Sequence, residues 1–299
     1  MQKDVLASNL RWMDVELALA SESSKSDNII IDGFKAVDKK VGEYPEINWG
    51  PSVTSMYQKR TMKLLSGNPV SAEEIRKKAA QFADSPSANI QVTENGQGSE
   101  YASYSATIDN GNGDGRLNLD FTKKGGQLIL FMNSRKIGDK KISFDQAKAA
   151  ADKFLEKHGF KGMNAVNYDM FNNTGSFTYV SKQNDVLIYP EKLTVKVALD
   201  QGEVVGLQAN DYVYEHHDRE LGTPTITQAE ARKALNTDMK IKNEAFALIN
   251  NELGEEVLCY EYMGQINGSM YRVYINAETG LEESIEEMSH YETKAALDK

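Results

Sequence analysis

Val70-Ser71-Ala72-Glu73-Glu74-Ile75 follows a pattern that the chain repeats twice, as Ile142-Ser143-Phe144-Asp145-Gln146-Ala147 and as Ile226-Thr227-Gln228-Ala229-Glu230-Ala231. In each copy a hydroxyl residue (Ser71, Ser143, Thr227) stands three positions before a Glu or Gln (Glu74, Gln146, Glu230). The two side chains can satisfy each other's unpaired backbone N–H groups, which makes the motif a capping box, with the cap alone worth ~1 kcal/mol. The residue before each cap is apolar and β-branched, and Ile75, Ala147 or Ala231 stands at the fourth helical position, as in a hydrophobic staple. Three helix starts are therefore predicted, 72 and then 84 residues apart. That spacing fits whole small domains and is too long for the turns of a solenoid.

After each helix comes a Gly/Asn-rich break, then segments rich in Val, Ile, Tyr and Phe separated by turn residues, as expected of antiparallel hairpins. In the first copy the predicted strands are Tyr101 to Ile108, Leu117 to Phe121 and Gln127 to Met132, with a turn at Gly125-Gly126. In the second they are Phe177 to Val180, Leu193 to Leu199 and Val204 to Gln208, turned at Asp200-Gln201-Gly202. The third offers Val257 to Met263, Met270 to Ile275 and Leu281 to Ile285, turned at Asn267-Gly268 and at Asn276 to Gly280. Alternation such as Arg272/Val273/Tyr274/Ile275 predicts one apolar face under the helix and one wet face. Ala147, Ala151, Phe154 and Leu155 give the second helix its packing stripe. The fold class is α+β: three helix-on-antiparallel-sheet units, at 69–141, 142–222 and 223–299, preceded by an α-helical region at 1–68. In that region Leu6, Leu10, Met13 and Leu17 form one stripe and Ile30, Phe34, Val37 and Val41 another, while Pro51 opens a helix containing Met56, Tyr57 and Leu64.

At 299 residues, 40% apolar and 26% charged with 6 prolines, the chain has ordinary globular composition and room for more than one core. The net charge of −10 is concentrated late: residues 1–68 carry 9 basic and 9 acidic groups, residues 223–299 carry 7 and 14. Such a field disfavours nucleic acid and anionic lipid as partners and permits a basic protein partner. No stretch approaches the ~20 apolar residues of a membrane span. Because the chain opens inside a helical pattern, it is expected to be a soluble portion of a longer protein.

Candidate sites for chemistry each meet a simpler explanation. Asn110, Asn112, Asp114 and Gly115, within Asp109 to Gly115, match the first half of an EF-hand loop, but position 12 would be Phe121 and the flanks read as strands; a hairpin loop is expected. His216 and His217, with Asp218, Glu215 and Glu220 nearby, lack metal-ligand spacing and are expected in a solvated linker. Cys259, in Val257-Leu258-Cys259-Tyr260, is expected to be a buried structural thiol. Gly96-Gln97-Gly98 lacks the third glycine of a dinucleotide loop. Glu278, Glu282, Glu283, Glu286 and Glu287 are read as a solvated face, and Tyr101, Tyr104, Tyr179, Tyr212 and Tyr214 as exposed residues that could stack on sugars or peptides. No catalytic, metal or cofactor residues are assigned, no cofactor is expected, and the partner-binding residues are left unassigned.

Val195-Lys196-Val197-Ala198-Leu199-Asp200-Gln201-Gly202-Glu203-Val204 and Tyr274-Ile275-Asn276-Ala277-Glu278-Thr279-Gly280-Leu281-Glu282 resemble the ends of PepSY domains, and Leu119 to Leu128 is a third version with an extra turn residue. A helical region, the connector Tyr44-Pro45-Glu46-Ile47-Asn48-Trp49-Gly50-Pro51 and tandem PepSY units, in that order, resemble the YpeB family of bacterial spore germination proteins; Ser52 to Arg60 departs from its pattern. The resemblance implies a non-catalytic, membrane-anchored protein of the spore inner membrane and cortex. Such a protein stabilises, or also restrains, the cortex-lytic enzyme SleB needed to break down cortex peptidoglycan. It also implies an N-terminal membrane anchor, expected to be absent from this chain. Two other functions compete: a protease-inhibitor module, because PepSY units resemble segments of metalloprotease propeptides, and direct recognition of cortex glycan by tyrosines.

Overall fold

The structure is a computed structural model that describes residues 65–84, 89–96, 102–109 and 115–288. The helices expected within residues 1–64 and most of the Asp109 to Gly115 loop lie outside the described residues, as do Tyr101 and Gly98.

All three capping boxes form. The Ser71 N–H donates to Glu74 Oε2 at 2.7 Å, that of Ser143 to Gln146 Oε1 at 2.9 Å and that of Thr227 to Glu230 Oε2 at 2.8 Å, and each hydroxyl accepts in return from the N–H three residues on. They open helices α1 (Ala72–Phe82), α2 (Phe144–Lys157) and, later in the chain, α4 (Gln228–Ala231), which continues as a 3-10 turn over Arg232–Ala234. The staple residue before each cap is also fixed the same way. The N–H groups of Val70, Ile142 and Ile226 donate to the carbonyls of Lys123, Leu199 and Ala277. The side chains of these three residues lie against Gly126, Gly202 and Gly280, all at positive φ, where a Cβ would sit 3.3–3.4 Å from the staple methyl. Each helix is thus pinned to the turn between the last two strands of its unit. Replacing Ser143 with Ala should cost ~1 kcal/mol of stability, read as a shift of the denaturant midpoint with unchanged m-value.

Each unit has four strands, one more than the sequence pattern predicts. They are β1 (Ile90–Asn95), β2 (Ser103–Asp109), β3 (Arg116–Thr122) and β4 (Leu128–Asn133) in the first unit, and β5 (Asn164–Phe171), β6 (Thr174–Gln183), β7 (Val186–Ala198) and β8 (Val204–Gln208) in the second, which ends in a short helix α3 (Asn210–Glu215). The third has β9 (Lys240–Asn250), β10 (Glu256–Ile266), β11 (Ser269–Asn276) and β12 (Glu282–Glu287). Every pairing within a unit is antiparallel. No described helix is long and apolar enough to cross a membrane.

The units are joined as one sheet. β4 pairs antiparallel with β8 through Leu130/Gln208, Phe131/Leu207 and Met132/Gly206, which makes the first two sheets continuous. The first half of β7 runs parallel to β9 through Val186/Phe246, Leu187/Ala247 and Ile188/Leu248. One apolar core fills the space under α1 and α2 together, from Ile75, Leu119 and Phe131 to Leu155, Phe177 and Leu207. The third unit keeps a separate core of Leu235, Tyr260, Tyr262, Val273 and Ile275 under α4.

Two expectations are corrected here. Arg272 and Tyr274 do not face water: they are 3% and 2% exposed. Ala247, Ile249, Cys259 and Tyr274 pack with Leu187 and Tyr189 of β7, so the second unit covers the sheet face that the third unit's helix leaves bare. Tyr104 and Tyr179 are not exposed either, at 5% and 1%. Tyr179 shares its face of β6 with Phe177, beneath α2, and its hydroxyl donates to Asp152 Oδ1 at 2.7 Å.

Candidate interaction surface

A groove of about 640 Å³ opens on the helical side where the first two units meet. Its walls come from Lys78, Gln81 and Phe82 of α1, Gly125 to Leu128 at the β3–β4 turn, His158 to Phe160 after α2, and Tyr212 and Val213 of α3. The groove exists because β4 pairs with β8: that joint spaces α1 from α2 and lays α3, which immediately follows β8, across the end of the gap.

Aromatic rings set the groove's shape. His158 sits 4.7 Å from the Phe82 ring and 4.4 Å from that of Phe154, and burial holds its imidazole below the ordinary 6.5. Phe160 meets Tyr212 edge-on at 5.5 Å, and Tyr212 stacks on His216 at 4.6 Å with an interplanar angle of 18°. Lys78 spends its ammonium on the Gly126 carbonyl at 2.8 Å. Such a lining, apolar rings with a few fixed polar groups, suits binding.

His216 marks the edge of a polar cluster behind the groove. Glu191, on β7 and 1% exposed, accepts from Ser181 Oγ at 2.5 Å and from the His217 N–H at 3.1 Å; His216 Nδ1 lies 2.6 Å from its Oε2, and Arg219 Nη1 completes the shell. Burial alone would raise the Glu191 pKa, but the hydrogen bonds from His216, Ser181 and Arg219 outweigh it and hold the carboxyl below its ordinary 4.5. Arg219 also grips Glu256 of β10, with Nε 2.9 Å from Oε2 and Nη2 2.7 Å from Oε1, and exchanges backbone hydrogen bonds with the Gln183 amide at 2.7 and 3.1 Å. The segment expected to be a solvated linker is therefore an anchored strap. His216, His217 and Asp218 are exposed, but the Arg219 side chain is 5% exposed and ties the second unit to the third. The sequence shows only a lone arginine in a polar run; its partners lie 28 and 37 residues away.

The remaining candidates fall in separate places. Cys259 is fully buried, and burial pushes its thiol up to about 12. On the same sheet face, Glu261 accepts from the Tyr189 hydroxyl at 2.6 Å and lies 3.8 Å from Arg272, whose Nη2 donates to the Val166 carbonyl at 2.5 Å. Glu283 accepts from Asn276 Nδ2 at 2.7 Å, whereas Glu278, Glu282, Glu286 and Glu287 are exposed. Tyr212 and Tyr214 are half-buried on α3, and Tyr212 alone of the four described tyrosines singled out lines the groove. Among the described residues no group of three His, Cys, Asp or Glu side chains could hold a metal ion.

Comparison with known proteins fits this architecture. A family profile described as "YpeB sporulation, PepSY1 and PepSY2 domains" matches residues 30–224. The sporulation protein YpeB of Bacillus subtilis (strain 168) is 39% identical over 98% of this chain and 66% of its own length, and that of Halalkalibacterium halodurans 37% identical over 97% and 65%. This chain thus spans just under two thirds of the length of these relatives. Among solved structures the Bacillus megaterium YpeB C-terminal domain superposes with a TM-score of 0.71 at 34% identity, covering 75% of this chain and all of that one. The chain belongs to the YpeB family of sporulation proteins, built on PepSY domains.

Proposed function

We propose that this chain works by contact, without chemistry of its own: it is a spore germination protein that holds a cortex-lytic enzyme, SleB in the family's terms, and keeps it stable or restrained until the cortex is to be broken down. One observation carries the proposal: a ligand-sized aromatic groove is built at the rigid joint of two fused units, and its polar groups are tied to the protein itself rather than arranged as acid, base and nucleophile. A helix or extended segment of the enzyme entering that groove would meet Phe160, Tyr212 and Val213 already in place, so little ordering cost falls on this partner. The site of action is the spore, at the inner membrane and cortex. The units act as one binding body whose boundaries lie near residues 69, 142 and 223.

Calorimetric titration of the chain with purified SleB tests this directly. Saturable binding is expected. Gln81→Trp, which places bulk at the exposed groove wall, should weaken that binding at least about tenfold, the loss of one good interface contact. Absence of binding to the enzyme would overturn the proposal.

A further inference from the structure

The internal repeat gives each unit a fourth strand, and the three fourth strands are treated differently. The outer edge of β4 takes β8, and that of β8 takes β4, in the antiparallel joint of the first two units. The third unit's counterpart, β12, pairs with β11 on one side and with no described strand on the other. Its helix is also short, four residues and a 3-10 turn against eleven and fourteen in α1 and α2. Two apolar residues at this edge are uncovered: Ile285, 50% exposed on the helical side although it stands opposite the buried Val273, and Leu281, 68% exposed at the turn before the strand.

We propose that the outer edge of β12 is a docking site for an extended, cationic segment of a partner protein, which joins the third sheet as β8 joins the first. Charge decides the occupant. Glu282, Glu283, Glu286 and Glu287 flank the edge, and Glu278 stands at the preceding turn. In a second copy paired antiparallel along the whole strand, Glu282 would face Glu287 and Glu283 would face Glu286, and like charges directly opposite are unfavourable. A strand alternating Lys or Arg with β-branched residues places its cations among these carboxylates and its apolar side chains beside Ile285, while its backbone completes the ladder. An edge protected only by charge would have no use for two large aliphatic side chains in water. The proposal rests on the contact role above and supplies a second place of contact on the same body.

Hydrogen exchange on the full chain tests it, with a synthetic eight-residue peptide of alternating lysine and valine as the probe and its glutamate–valine counterpart as control. The amides of residues 282–287 that point away from β11 should exchange readily in the free chain and slow at least about tenfold with the lysine peptide alone, an effect that added salt weakens. Ile285→Lys should abolish that protection without changing the melting temperature, because the side chain is already half in water. Protection of those outward amides in the free chain would overturn the proposal, a monomer by sedimentation then assigning the edge to another segment of the same chain and a dimer assigning it to a second copy. Equal protection by both peptides would overturn it too. If SleB binds Ile285→Lys as tightly as the unaltered chain, β12 is not a site for that enzyme and the contact role still stands; if SleB does not bind at all while the lysine peptide protects β12, the contact role with that enzyme fails and the edge site survives.

Discussion

Replacing Arg219 with alanine is expected to destabilise the chain by about 3–5 kcal/mol, the cost of removing one partner from a buried ion pair. The magnitude follows from what remains. Glu191, 1% exposed, would keep Ser181, His216 and the His217 N–H but lose its guanidinium, and Glu256 would lose a two-pronged partner on the neighbouring unit. Denaturant unfolding at pH 7 measures the loss. The pH dependence supplies a second reading. The Glu191 carboxyl is held below its ordinary 4.5 in the folded state, so the stability it contributes is present above that value and disappears as pH falls through the depressed value. In the alanine variant, protonation relieves a carboxylate that burial now penalises, so the gap between variant and parent should narrow towards pH 4. Pairing Arg219→Met with Glu191→Gln, which leaves no buried charge at that position, should recover part of the loss; a double variant as unstable as the single one would show that the strap matters for packing and not for charge.

Phe131→Ala is expected to cost about 3–5 kcal/mol, the range for truncating a buried aromatic residue. More telling is where the damage spreads. Phe131 lies on β4 in the first unit, its ring 4.8 Å from Phe82 of the first helix and 6.2 Å from Phe154 of the second, and its backbone pairs with Leu207 of β8. Truncation therefore opens a cavity in the core that both units share. Hydrogen exchange should show amides of β3 and of β6 losing protection together, in a single cooperative unit. If only β1 to β4 weaken while β5 to β8 keep their protection, the first two units fold independently and the shared core is only a contact between them.

Much of this architecture was legible from local pattern. The three capping boxes form because both partners of each box lie within four residues, and nothing elsewhere competes for them. Asn267-Gly268 turns a hairpin with φ of +50° and +92°, as its composition demands. The first strand of each unit was harder to see. β5 carries Asn164, Asn167 and Asp169 on a sheet edge, and the hairpins around β6 turn on Asn172-Asn173 and Asn184-Asp185, which adopt positive φ without the glycine that signals such turns. Pro190 interrupts the run of β7 and hides that its first half continues the strand; no backbone pair is made at residue 190, so the proline costs the ladder nothing.

The candidate surface was legible only in part. Phe82, Phe160 and Tyr212 are unremarkable apolar residues until β4 meets β8, and Arg219 is one cation in a polar strap until Glu191 and Glu256 are brought to it. The sequence by itself determined the helix starts, the turns and the α+β class, because those depend on hydrogen bonds and side-chain alternation within a few residues of each other. Only the tertiary structure decided that two units share one core, that the third unit's second face is buried, and that a groove and an open edge remain. Those outcomes depend on which strand edges find each other across 60 residues or more, and an edge offers the same N–H and C=O groups to every comer; the choice is made by packing that no local pattern encodes.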